Sequence, residues 1–112
     1  MFGRPGGTCM EINWIATPFR GDRFEEIWRP VAEAVLDHGA HAYAFLRSAD
    51  DPLCFVQLAA FDAREDWERY WYSEEVSEAR STAAGYFQIP IVPVWYRIAG
   101  TGSLAGVDPV SG

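Results

Sequence analysis

The chain has 112 residues, 49% hydrophobic, 15% aromatic and 22% charged, with a formal net charge of -7. That length suits one domain, and folding takes its surface from roughly 18,000 to roughly 6,000 Å², enough burial for one core. The acid excess, with all nine basic residues Arg, argues against nucleic acid and anionic membrane surfaces, and no apolar run approaches the ~20 residues of a bilayer span.

Residues 1–8 carry Gly3, Pro5, Gly6 and Gly7 and read as a flexible N-terminal arm. They lack the basic start and apolar stretch of a signal peptide, so a cytoplasmic protein is expected. The folded domain is placed at residues 9–98. Its first stretch, residues 9–17, alternates: Met10, Ile12, Trp14 and Ala16 on one side, Glu11, Asn13, Ile15 and Thr17 on the other. A period of two predicts a strand.

Pro18 to Gly21 end that strand. Asp22 and Glu25 have the spacing of a capping box. Phe24, Ile27, Trp28, Val31 and Val35 follow at helical spacing to about Asp37, with Gly39 as the stop and Pro30 as a predicted kink. Two alternating stretches come next, residues 40–47 and 53–61, joined by the turn-forming Ser48 to Pro52; they predict a hairpin. Asp62 and Glu65 repeat the capping-box spacing before a short helix through Trp71. Ser73 caps a further helix whose first turn holds Glu74 and Glu75, and Gly85 closes it. Tyr86 to Ile98 is extended, and Pro90 and Pro93 make it an edge strand or irregular at its start. Residues 99–112, rich in Gly, Ser, Ala and Pro, read as a flexible tail.

This order is the α+β, ferredoxin-like β-α-β-β-α-β pattern, with the first and third strands central and helices on one face. The even-numbered strand residues are nearly all apolar. The odd-numbered set is mixed but includes Tyr43, Phe45, Phe55 and Phe61. The alternation leaves open which set meets the helices. Four rings on a bare face exceed what a monomer usually exposes, so a homodimer with two sheets face to face is expected. Cys9 and Cys54 belong to no metal or redox motif and read as reduced buried thiols, with a cross-strand disulfide as the alternative.

The element order and three stretches resemble the antibiotic biosynthesis monooxygenase family of the dimeric α/β barrel superfamily. These are Met10-Glu11-Ile12-Asn13; the turn Arg47 to Pro52 with its apolar strand; and Phe61-Asp62 through Tyr70-Trp71, with Ser73-Glu74-Glu75 and Ala79-Arg80. The resemblance implies a dimeric α/β barrel with a pocket in each subunit between sheet and helices. It also implies activities that include cofactor-free oxygenation of aromatic quinols. The haem-degrading branch carries an Asn, a Trp and a His; here those positions hold Asn13, Phe61 and Arg80. Without the His no axial nitrogen is offered to iron, so haem degradation is disfavoured.

The candidate catalytic residues are Asn13, to orient a carbonyl or oxyanion; His41, as a base toward a quinol hydroxyl; and Arg80, to meet an anion. Each has a plainer reading: a satisfied buried amide, a packed imidazole, and an ion pair with Glu75 or Glu78. Tyr43, Phe61, Trp67, Trp71 and Tyr72 are the candidate ligand-binding wall for a flat aromatic molecule. No ligand set at metal spacing is present, and no cofactor is expected. The functional expectation is cofactor-independent oxygenation of a quinol-like molecule; the alternative is a non-catalytic ligand-binding or dimerisation module.

Overall fold

The computed structural model describes residues 2–88 and 91–104. The strands are β1 (Thr8–Ile15), β2 (Ala42–Arg47), β3 (Cys54–Phe61) and β4 (Val94–Arg97). The helices are α1 (Gly21–Glu33), α2 (Arg64–Trp71) and α3 (Glu74–Ala83). All strand pairings are antiparallel, in the order β2-β3-β1-β4. The fold is therefore the expected ferredoxin-like α+β arrangement, with β1 and β3 central.

Register decides what the alternation left open. In β1 and β3, Ile12 faces Gln57 and Trp14 faces Phe55, so partners have opposite parity. In β2 and β3, Ala42 faces Ala60, so partners share parity. The helix-covered face thus combines even residues of β1 with odd residues of β2 and β3. Met10, Ile12, Trp14, Phe55, Ala59 and Phe61 are buried there, with Tyr43 and Phe45 packed against them. This corrects the expectation that all even residues share one face. The rings of Tyr43, Phe45, Phe55 and Phe61 belong to the core, so they no longer argue for a second sheet. The open face is apolar through other residues: Ile15, Ala44, Leu46, Val56, Leu58 and Val94.

The helices close the core with the expected residues. Phe24, Trp28 and Val35 are fully buried, the stripe that a 3.6-residue period brings to one side. One turn after Pro30 the α-helix gives way to a 3-10 segment, Ala34–His38, ended by Gly39 at φ +98°, the left-handed geometry that suits glycine. Neither predicted capping box forms. The caps are Arg20 and Ala63, without side-chain hydrogen bonds. Asp22 and Glu25 instead accept from Arg47 Nη1 at 2.8 and 3.2 Å, and Asp62 pairs with His41. Distant side-chain donors outcompete the local backbone N–H groups. The Arg47 clamp ties the hairpin to α1, and its approach needs Gly21, where a Cβ would lie 2.6 Å from Arg47 Nη2. Ser73 does cap α3, accepting from Val76 N.

Residues 2–7, expected as a free arm, run back along the end of the sheet. Gly6 N donates to Ile98 O, Ile98 N donates to Gly7 O, and Gly3 packs on Ala60 and Ile98. Among the described residues of the predicted last strand, Val94–Arg97 pairs regularly with β1, and a bridge joins Ala16 to Phe87. Pro90 and the tail beyond Leu104 lie outside the described residues. Among the described residues no helix is long and apolar enough to cross a membrane. Cys9 and Cys54 are free and half-buried.

Candidate functional site

The densest chemistry lies where α2, α3 and β4 meet. The α2 sequence places Trp67, Tyr70 and Trp71 on its inner side, and the break at Tyr72–Ser73 turns α3 back across them. Arg80 is thereby laid over Trp71, with Cζ 4.6 Å from the ring centroid and 6.0 Å from that of Tyr72. Its Nη2 donates to Trp71 O at 3.0 Å and Ser77 Oγ at 3.2 Å. An Arg plane held this way gains cation-π attraction and keeps its charge. Trp71 stacks on Trp67 at 5.1 Å and 23°. Trp67 in turn meets Trp95 of β4 edge-on at 6.4 Å, and Arg64 lies 4.9 Å over the Trp95 ring.

Arg80 forms no ion pair with a described residue; the nearest basic partner of Glu75 is His38, at 3.8 Å. Among the described residues, the buried side-chain polar atoms lacking a hydrogen-bond partner are Arg80 Nε and Trp95 Nε1. Unmade bonds at buried donors are costly, so these two stand out.

Behind the wall lies a closed polar knot. Gln57 is fully buried. Its Oε1 accepts from Trp28 Nε1 at 2.9 Å and Trp14 Nε1 at 3.3 Å, and its Nε2 lies 3.4 Å from Tyr70 Oη. Tyr70 Oη donates to Val31 O at 2.6 Å, and burial pushes its phenol well above the ordinary range. Trp14 and Trp28 both touch Trp71, at 6.2 and 6.4 Å, so this knot fixes the back of the wall.

The structure brings together Phe61, Trp67, Trp71, Tyr72 and Arg80 among the sequence candidates. Phe61 is buried edge-on to Trp67 at 6.3 Å, while Tyr72 is 74% exposed. Tyr43 shares the helix-covered face but sits on the outer strand β2. Asn13 is on the opposite face of the sheet. It is exposed, and its Nδ2 reaches only Glu11 Oε1, at 3.4 Å. It borders a half-open cavity of about 510 Å³ with Ile15, Leu46, Ser48, Cys54 and Val56. His41 immediately precedes β2, with Nε2 2.8 Å from Asp62 Oδ1; that bond holds the Asp62 carboxyl below its ordinary range. Asn13, His41 and Arg80 therefore do not converge. Sequence reasoning missed Trp95 and Gln57. Strand parity against Met10 and Ile12 would have found them had the register been known.

No protein-family model and no curated protein matches the chain. Solved structures do. A Nitrosomonas europaea protein provisionally assigned as an antibiotic biosynthesis monooxygenase superposes with TM-score 0.75 at 21% identity, covering 99% of this chain and 100% of its own. SnoaB, a cofactor-independent oxygenase from Streptomyces nogalater, gives 0.72 at 11%, covering 86% and 96%. A conserved protein of Methanosarcina mazei gives 0.73 at 13%, covering 84% and 94%. The chain thus has the fold of antibiotic biosynthesis monooxygenase-like proteins, and identities this low establish the fold alone.

Proposed function

We propose that this chain binds a flat, quinol-like aromatic molecule against Trp67, Trp71 and Arg80 and oxygenates it without a cofactor. The observation that carries this reading is Arg80: a cation laid over an indole, with no acidic partner among the described residues and one buried N–H unused. A planar anion fits those features, lying against the guanidinium and the outer edge of the wall at Trp71 and Tyr72 while the guanidinium balances its charge. Arg80 and Trp71 are half-buried and Tyr72 is exposed, which leaves the outer edge of the wall within reach of solvent. The ring anion would reduce dioxygen directly. One oxygen atom becomes a ring carbonyl and the other leaves as water, with all four electrons drawn from the substrate. SnoaB, which shares this fold, is a cofactor-independent oxygenase, and that supports the reading.

The test is oxygen uptake with a panel of hydroquinones, followed by Arg80→Gln. Losing a charged hydrogen-bonding group should lower kcat/KM by roughly 10- to 100-fold. Tryptophan quenching without uptake above buffer would discard the oxygenase and keep the binding site.

A second reading, a non-catalytic dimerisation module, draws on the open face. Ile15, Leu46 and Val94 are 47%, 51% and 41% exposed there, on a sheet surface that no helix covers. Both readings take the protein as a homodimer packed through that face. A monomeric mass in light scattering at micromolar concentration would remove the dimer from either.

A further inference from the structure

Residues Thr17 to Arg20 form a tight turn between β1 and α1, closed by Arg20 N donating to Thr17 O at 2.9 Å. Phe19, at its third position, has φ +68°, the only non-glycine residue with positive φ among those described. A turn with Pro second and positive φ third ordinarily holds Gly or Asn there, because a Cβ crowds the backbone. Phe19 is 103% exposed, so no contact with the described residues offsets that strain. The turn is nonetheless braced. Thr17 N donates to Tyr86 O at 2.9 Å, Thr17 Oγ1 to Gly85 O at 2.8 Å, and the Arg20 guanidinium lies 5.1 Å over the Tyr86 ring. A strained, exposed phenyl group on a fixed mount makes sense where the ring is buried by a partner.

The matching receptor is at the same end of the sheet. β1 ends at Ile15, which pairs with Cys54 at the start of β3. Ile15, Leu46, Cys54 and Val56 line the half-open cavity of about 510 Å³, with Asn13 and Ser48 at its polar edge. It is roomy enough for a phenyl ring and opens on the face that no helix covers. A two-fold axis along the strand direction would bring like ends of two copies together. Each Phe19 would then meet the other copy's cavity, giving one self-complementary contact made twice.

We propose that Phe19 is the anchor by which two copies of this chain lock together, its ring seated in the partner's cavity beside Cys54. This rests on the homodimer proposed above. Analytical ultracentrifugation of the full chain tests both. Phe19→Asp should raise the dimer dissociation constant about thirty-fold or more, the scale of a buried aromatic anchor. Phe19→Gly should loosen the dimer similarly while keeping the circular dichroism of the parent, because glycine suits the turn. Proximity gives an independent readout. Chains carrying Cys9→Ser, Cys54→Ser and Phe19→Cys are mixed with mass-tagged chains carrying only Cys9→Ser, and a short bismaleimide should join the two kinds covalently. A dimeric parent whose Phe19→Asp variant dissociates within threefold of it, or which gives no mixed cross-link, overturns the anchor and leaves the dimer standing. A monomeric parent overturns both.

Discussion

On its helix-covered face the sheet presents Trp14, Phe55 and Phe61, all at most 1% exposed, around a single buried amide, Gln57. On the other face the same strands present Ala44, Val56 and Leu58, half-buried, and Leu46, 51% exposed. One face achieves its packing with large rings and a closed hydrogen-bond knot. The other presents mostly aliphatic groups, with Tyr96 at its β4 edge, around a half-open cavity. The contrast shows that aromatic content marks where this small domain builds its core. An exposed, mostly aliphatic surface marks the face left uncovered, the one proposed for association.

The largest effect belongs to the knot. Gln57→Leu keeps the volume but strips the acceptor from the Trp14 and Trp28 indoles and a partner from Tyr70. Two buried donors left unpaired should cost about 3 kcal/mol, read as a lower urea midpoint with an unchanged m-value. A loss below about 1 kcal/mol would mean that the covered face tolerates unpaired polar groups, and the contrast would weaken.

The open face should answer in the opposite sense. Leu46→Glu changes a half-exposed position, so the fold should lose no more than about 0.5 kcal/mol. The proposed dimer, by contrast, should dissociate, because a carboxylate would enter an apolar sheet-to-sheet contact. Light scattering and urea unfolding together separate the two responses. A protein that stays dimeric with Leu46→Glu does not associate through this face.

The same contrast shows what the sequence made legible. Element order, the central strands, the Ser73 cap and the Gly39 stop follow from short-range patterns, because periodicity and turn chemistry act over a few residues. The identity of the covered face was hidden. Ile12 pairs with Gln57 and Ala42 with Ala60, so parity reverses between one strand pair and the next. That depends on how loop lengths set the register, which no single strand records. The open apolar face was anticipated with the wrong residues for the same reason. The caps failed differently: Asp22 and Asp62 have the right local spacing, yet the side chains they pair with, Arg47 and His41, come from β2 and the residue before it. Of the candidate site, the cluster of Trp67, Trp71 and Tyr72 was legible as local density. Trp95 joins it only through the pairing of β4 with β1.

The smallest expected effect comes from the rim between the faces, at His41 and Asp62. The hydrogen bond from His41, at 2.8 Å, holds the Asp62 carboxyl below its ordinary value. A carboxyl depressed in the folded state binds its proton more readily when unfolded. Its contribution to stability is therefore present above the ordinary carboxylate pKa of about 4, and is lost as pH falls through the folded value. Asp62→Asn should lower the unfolding midpoint slightly at neutral pH, and the two proteins should converge in acid below about pH 4. Parallel curves across that range would show that the bond does not hold Asp62 in solution. Asp62 is largely exposed, so this shift should remain well below that of Gln57→Leu, as expected for a contact that neither face encloses.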